Sequence, residues 1–443
     1  MRRFRAWQVL VVLAACGLGW AGETGPRFSI SDADVKAIYP DVEKVYVELH
    51  QTPELSGQEV RTAEKMAEAL RKLGYEVTTG IGGNGVVGVL RNGTGPVVML
   101  RTDMDALPVE ERTGLPYASR VKARNPAGQE VSVMHACGHD LHMSAWLGTA
   151  RLMAEGKSGW SGTLILIGQP AEELAGGAVP MLKDGLYTRF PKPDYVLAIH
   201  DQSGLPSGTV ETNTGYVTAN VDSVDITIYG RGSHGAKPEL SVDPIVIAAR
   251  TVLTLQTLIS REKDPQQPAV LTVGSIHGGT KHNIIPDDVR MQLTVRAYKP
   301  EVRERLLRGI ERIARAECEA GNTPKPPDVK VVDSTPVTVN DAALAGRVAT
   351  ALRKNLGEAR VIEAIPIMGA EDFSRYAEPG VPILMIWVGA INPKTLERAI
   401  RDGTVLPGLH SSLFAPDPMP TIMTGVEALV TAARELFGTA KAH

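Results

Sequence analysis

Tyr195-Val196-Leu197-Ala198-Ile199-His200 is the stretch that decides the fold. Its apolar residues run on without the polar alternation of a half-buried strand, and a histidine closes them. Strands covered by helices on both faces read this way in parallel sheets, where ligands collect beyond the carboxyl ends. Thr163 to Ile167 repeats the pattern and leads into Gln169-Pro170-Ala171-Glu172-Glu173. Val97 to Leu100 leads into Arg101-Thr102-Asp103-Met104-Asp105. Three buried strands therefore deliver a histidine and several carboxylates to one sheet edge.

Working outward, Glu59 to Leu73 carries Val60, Ala63, Met66, Leu70 and Leu73 at helical spacing and stops at Gly74. Tyr75 to Thr79 and Val86 to Leu90 read as strands. A helix is expected from Asp140, as N-cap, to about Glu155. This half is α/β, a mostly parallel-stranded sheet with helices on both faces, assigned to residues 30–216. From Val217 the texture changes. Val221 to Tyr229 alternates, Pro244 to Ile259 is helical, and Val270 to Ile276 and Val289 to Ala297 are strands. Helix Glu301 to Ala320 and strand Val329 to Val332 follow. The order βαββαβ fits a small α+β domain over 217–335. Helix Ala342 to Asn355, apolar run Ile383 to Val388 and helix Met423 to Phe437 then resume the first domain over 336–443.

The 443 residues suffice for two domains, and a formal charge of −3 lacks the basic footprint of a nucleic-acid binder. Residues 1–21 read as an export leader, with Arg2, Arg3 and Arg5 before the apolar run Trp7 to Ala15, too short to span a bilayer. Without those three arginines 44 basic side chains face 50 acidic ones, a charge of −6. Leu13-Ala14-Ala15-Cys16 resembles a bacterial lipobox, which would lipid-anchor the chain at Cys16; Gly19-Trp20-Ala21 suits ordinary signal cleavage. Either reading exports the protein, to the periplasm or to the envelope surface. Of the remaining cysteines, Cys318 falls in a helical stretch as a small buried apolar residue, and Cys137 stands among histidines.

That second cysteine opens the chemistry. His135-Ala136-Cys137-Gly138-His139-Asp140-Leu141-His142 gathers three of the chain's ten histidines within eight residues. Thiolate, imidazole and carboxylate together suit zinc, manganese, cobalt or nickel. One ion needs three or four donors; the surplus here points to two ions sharing a ligand, as amide hydrolysis can use. Glu172 and Glu173 cannot easily both ligate from one loop, which frees one as general base.

The segments HQTPELSGQE (50–59), RTDMDALP (101–108), MHACGHDLHM (134–143), GQPAEE (168–173), GRGSHGAKP (230–238), GGTKHNIIPD (278–287) and GAEDFS (369–374) resemble the aminoacylase/carboxypeptidase family of two-metal metallopeptidases. More narrowly they are similar to its bacterial N-acyl-amino acid amidohydrolases, hippurate hydrolases and plant auxin-conjugate hydrolases. The resemblance implies a catalytic domain interrupted by a lid that also dimerises. It implies Cys137 bridging two metals, with His139 and His200 on one and Glu173 and His410 on the other. It implies Glu172 as general base, Asp105 orienting a ligand, His234 on the developing oxyanion from a partner subunit, and Asn283 on the substrate's carboxylate or carbonyl. Three features depart from the pattern: Asp201-Gln202 after His200, which suggests an altered pocket wall, a long 119–133 segment, and Ser411-Ser412 after His410.

The implied substrate is a small N-acyl-amino acid, with small peptides as the alternative and an inactive ligand-binding relative as the rival from another class. Among the neighbouring polar residues, His142 is expected to sit behind the ligands and Asp103 to support them. His50, His135 and His277 read as structural, and Glu371 and Asp372 as charges at a helix start.

Overall fold

The computed structural model describes residues 31–438, so the leader and its Cys16 fall outside the described residues. Six strands of the larger sheet precede the change of texture: β1 (Glu76–Ile81), β2 (Gly85–Asn92), β3 (Val97–Asp103), β4 (Gly162–Gln169), β5 (Tyr195–Pro206) and β6 (Val210–Thr212). Four more follow as β7 (Asn220–Tyr229), β8 (Ala269–Gly278), β9 (Asp288–Ala297) and β10 (Asp328–Thr335), and two late ones as β11 (Val361–Glu363) and β12 (Ile383–Ile391). The helices used below are α1 (Asp32–Gln51), α2 (Val60–Lys72), α3 (His139–Glu155), α4 (Pro244–Thr257), α5 (Pro300–Ala320), α6 (Ala342–Leu356) and α7 (Pro418–Phe437).

The larger sheet has eight strands in the order β1-β2-β4-β3-β5-β12-β6-β11. Its centre, β4-β3-β5-β12, is parallel, while β1, β2 and the β12–β6 pair run antiparallel. Alternate side chains of the central strands enter two different cores. Leu100, Leu166, Leu197 and Ile386 pack against α1, α3, α6 and α7. Met99, Ile165, Ala198 and Met385 face Met181, Phe373 and Tyr376 on the other side. Double-sided burial is why these strands read as unbroken apolar runs.

Between Asn220 and Thr335 a separate four-stranded antiparallel sheet, β8-β9-β7-β10, carries α4 and α5 over its own core of Ile226, Leu255, Met291 and Ile310. Cys318 is buried in that core. The chain leaves and re-enters the larger sheet through a short ribbon, residues 215–218 paired with 338–340. Among the described residues, no helix is long and apolar enough to cross a membrane.

One local reading changes. The helix after the cysteine begins at His139 with Gly138 as N-cap, so Asp140 stands in its first turn. There its carboxylate bonds the Leu141 N–H and, at 2.6 Å, His50 Nδ1. A left-handed glycine starts the helix two residues before the expected aspartate.

Candidate metal centre

The donors converge from four elements. Cys137 and His139 flank Gly138, whose φ of 71° only glycine adopts freely, and a Cβ there would lie 2.5 Å from Asp201 Oδ1. His200 sits within β5, and Glu173 lies in the turn after β4. His410 comes from the loop before α7, itself at φ 65°, with its N–H held by Ala136 O at 2.7 Å. Cys137 Sγ lies 3.6 Å from His200 Nε2 and 3.2 Å from His410 Nε2. Glu173 Oε1 lies 3.4 Å from His410 Nε2 and 3.8 Å from His139 Nε2. Two trios of donor atoms, Cys137/His139/His200 and Cys137/Glu173/His410, each fall within 4.8 Å and share the sulfur.

The cluster fits cations better than it fits itself. His139 Nε2 and Glu173 Oε1 are buried with no hydrogen-bond partner, each at a cost of about 1–3 kcal/mol. Burial, then Glu173 and Asp201, push the Cys137 thiol well above its usual range. Burial pulls His139 down, but Asp103, Asp105 and Glu173 overcome it and hold the ring well above an ordinary histidine. Positive ions set among these donors would relieve all of this at once.

Behind the donors stands a layer of buried polar groups. Asp105 Oδ1 lies 3.3 Å from His139 Nδ1, and its two oxygens also accept the N–H groups of Glu172 (3.1 Å) and Glu173 (3.0 Å). His142 stands behind His139 and His200, with Nδ1 2.7 Å from Asp103 Oδ1 and Nε2 3.0 Å from Asp201 Oδ1. Asp201 is therefore buried beneath the Gly138 turn rather than in the pocket wall; Gln202 takes that wall position. Arg101, fully buried, bonds Gln169, Asp103, Glu371 and Asp372. Glu371 does cap its short helix, at Phe373 N, but its larger role is this ion pair. Sequence reading passed over Arg101, although an arginine inside a buried strand calls for carboxylate partners.

A cavity of about 520 Å³ opens over the donors. Cys137, Glu172, Glu173, His200 and His410 line its floor; Trp387, Ile367 and Leu409 line its apolar side, and Arg296 and Asp333 come from the smaller sheet. Burial, followed by Glu371, Asp372 and Glu173, raises the Glu172 carboxyl well above an ordinary glutamate. Arg296, half-buried, is pushed down by burial and donates from Nη1 to Met368 O at 2.8 Å and from Nε to Thr294 Oγ1 at 3.4 Å. His234 and Asn283 do not line this cavity. Both are exposed, and they meet across a two-residue ribbon in which Gly235 N–H bonds Asn283 O at 2.8 Å.

The model of the peptidase family M20/M25/M40 matches residues 99–404. A thermostable carboxypeptidase 2 from Saccharolobus solfataricus is 39% identical over 389 residues, 87% of this chain and 92% of that relative. The hippurate hydrolase of Campylobacter jejuni is 36% identical over 340 residues, 76% of this chain and 85% of the relative. The crystal structure of a dinuclear metal-binding M20 peptidase from Bacillus subtilis superposes with a TM-score of 0.74 at 28% identity, covering 91% of this chain and 100% of that one. With its α/β fold and paired donor trios, the chain belongs to the M20/M25/M40 peptidase family and is a metal-dependent hydrolase of the two-metal kind.

Proposed function

We propose that this hydrolase cleaves the amide bond of N-acyl-amino acids, aliphatic or aromatic in the acyl part. The observation that carries the reading is one cavity holding a buried proton-accepting carboxyl, the two donor trios and a guanidinium on the facing sheet. Cys137, His139 and His200 would hold one ion, and Cys137, Glu173 and His410 the other. Bound there, manganese, zinc, cobalt or nickel would lower the pKa of water and polarise the amide carbonyl. Glu172 takes a proton from the attacking water and returns it to the departing nitrogen; its raised pKa makes it a better proton acceptor than an exposed glutamate. Arg296 offers its remaining N–H groups to the carboxylate of the amino-acid half. Trp387, Ile367 and Leu409 receive the acyl half.

His234 and Asn283 belong to the reaction only if a second copy brings them to the cavity, or if the smaller sheet moves, so the working unit is proposed to be a homodimer. The leader supports export to the periplasm or lipid anchoring at Cys16. A dipeptidase or carboxypeptidase activity is the second reading. Asp333 favours it, as a carboxylate in the cavity suited to an ammonium group, and so does the printed name of the carboxypeptidase relative.

Metal-loaded protein assayed on benzoyl-glycine, acetyl-amino acids and dipeptides separates the readings. Inactivity on every member, with two ions bound, sinks both. Glu172→Gln should keep its metal and lose about 10²–10⁴-fold in kcat; unchanged turnover removes Glu172 from the reaction.

A further inference from the structure

The segment HQTPELSGQE (50–59) enters the molecule as the end of α1 and the approach to α2, yet the reading above gives it no task. Its two glutamates do different work. Glu54 Oε2 accepts the Thr62 N–H at 2.8 Å and the Thr62 hydroxyl at 2.9 Å, capping the first turn of α2. Glu59 occupies the N-cap position itself but makes no side-chain bond to its own helix. Fully buried, it turns away: Oε1 accepts the N–H of Gly57 at 2.7 Å and of Ala171 at 2.8 Å, and Oε2 takes Asn84 Nδ2 at 3.2 Å.

Ala171 is the residue before Glu172, and it sits at φ 52°, as Ala175 does at φ 49°. Such a backbone is one that glycine favours and alanine resists, so outside contacts must hold it. They do. The N–H groups of residues 171, 172 and 173 in succession are taken by buried carboxylates, the first by Glu59 and the next two by Asp105. Ser56 fixes that second carboxylate, donating its hydroxyl to Asp105 Oδ2 at 2.7 Å.

We propose that Glu59 and Ser56 are positioning residues for hydrolysis: through Ala171 and Asp105 they set the direction in which Glu172 leaves its turn. The proposal rests on Glu172 as the proton carrier. A carboxylate misplaced by about 1 Å costs on the order of 10²-fold in rate without weakening substrate capture.

The test compares Glu59→Ala, Glu59→Gln, Ser56→Ala and Glu172→Gln in the metal-loaded full chain, with kcat, KM, metal content and melting temperature for each. Glu59→Ala should lower kcat about 10–100-fold at two ions per chain, with KM moving less than about 2-fold. Glu59→Gln keeps an acceptor oxygen for Ala171 and should recover kcat to within about 3-fold. Ser56→Ala, the milder change, should cost roughly 3–10-fold in kcat and serves as the deciding variant if Glu59→Ala does not fold or loses metal. Wild-type kcat in the folded, metal-loaded alanine variants, with only a lower melting temperature, would overturn the proposal. So would Glu59→Gln as impaired as Glu59→Ala. If Glu172→Gln is inactive while Glu59→Ala turns over normally, the clamp fails and the hydrolase reading survives; an active Glu172→Gln removes Glu172 as proton carrier and the clamp with it, and leaves the hydrolysis itself standing.

Discussion

Replacing Arg101 by methionine should be among the most damaging single changes outside the donor set. The side chain is fully buried and donates to Gln169 Oε1 at 3.0 Å, Asp103 Oδ2 at 2.6 Å, Glu371 Oε1 at 2.8 Å and Asp372 Oδ1 at 3.2 Å. Methionine fills much of the volume but leaves three buried carboxylates without their cation. Breaking one buried pair from one side costs about 3–5 kcal/mol. Here the carboxylates share one partner and retain other bonds, Asp372 to the N–H groups of Gly177 and Ala178 among them. The expected loss is therefore about 4–5 kcal/mol, a large part of the 5–15 kcal/mol by which proteins are folded. At roughly 2 °C per kcal/mol for a large chain, melting should fall by about 8–10 °C.

Acid supplies the control. Burial raises the Asp372 carboxyl to about 7, with Arg101 opposing the rise. Removing Arg101 raises it further. An acid whose folded pKa lies above its unfolded value destabilises the fold at higher pH and stops doing so once protonated. The deficit of Arg101→Met should thus shrink as pH falls from about 8 to about 5. Thermal and urea unfolding of chelator-treated protein at both pH values measures this. A variant melting within about 2 °C of the parent at pH 8, or a deficit that widens in acid, would refute the reasoning.

His50 presents the opposite sign. Burial opposes its charge, but Asp140 and Glu111 outweigh burial and raise its pKa to about 10. Stability from this histidine is complete below about 6.5 and is lost as pH rises through about 10. His50→Gln should cost about 3 kcal/mol at pH 6.5 and progressively less toward pH 10, read from urea midpoints; a pH-independent gap sinks the account. Gly138→Ala forces a Cβ to 2.5 Å from Asp201 Oδ1 at a positive φ. It should cost at least about 1–2 kcal/mol and lower metal content per chain, measured by melting and elemental analysis. Parent-like values in both would show that the turn tolerates a side chain.

The larger sheet was legible because burial on both faces leaves unbroken apolar runs, Leu164 to Ile167 in β4, Val196 to Ile199 in β5 and Ile383 to Val388 in β12. The smaller unit was legible for the opposite reason: β7 alternates buried and half-buried residues along its length. Helix α1 went unread because Pro40 lies inside it, ordinarily a reason to end a helix. Tertiary packing overrides that, since Val35, Ile38, Val42, Tyr46 and Leu49 are all buried in the main core. The donors were readable as a local crowding of histidine and cysteine. Arg296 was not, because its place in the cavity follows from how the two sheets face each other, which no local pattern encodes. Asp201 was read as pocket wall because it adjoins a donor, and only the left-handed turn at Gly138 shows where its carboxylate goes.

The donors also differ in how far they sit from water. Cys137, His139 and His200 are buried, and the Glu173 side chain is nearly so, whereas the His410 side chain is 54% exposed. On the proposed assignment, an ion held in part by His410 would have a solvent-facing exit, while one held by the deeper imidazoles would have to unlock a packed interior to leave. The pair should load and unload in sequence, the outer ion exchanging with its surroundings while the inner one stays as a near-permanent part of the fold. Half-filled protein would then be a defined species rather than a random mixture.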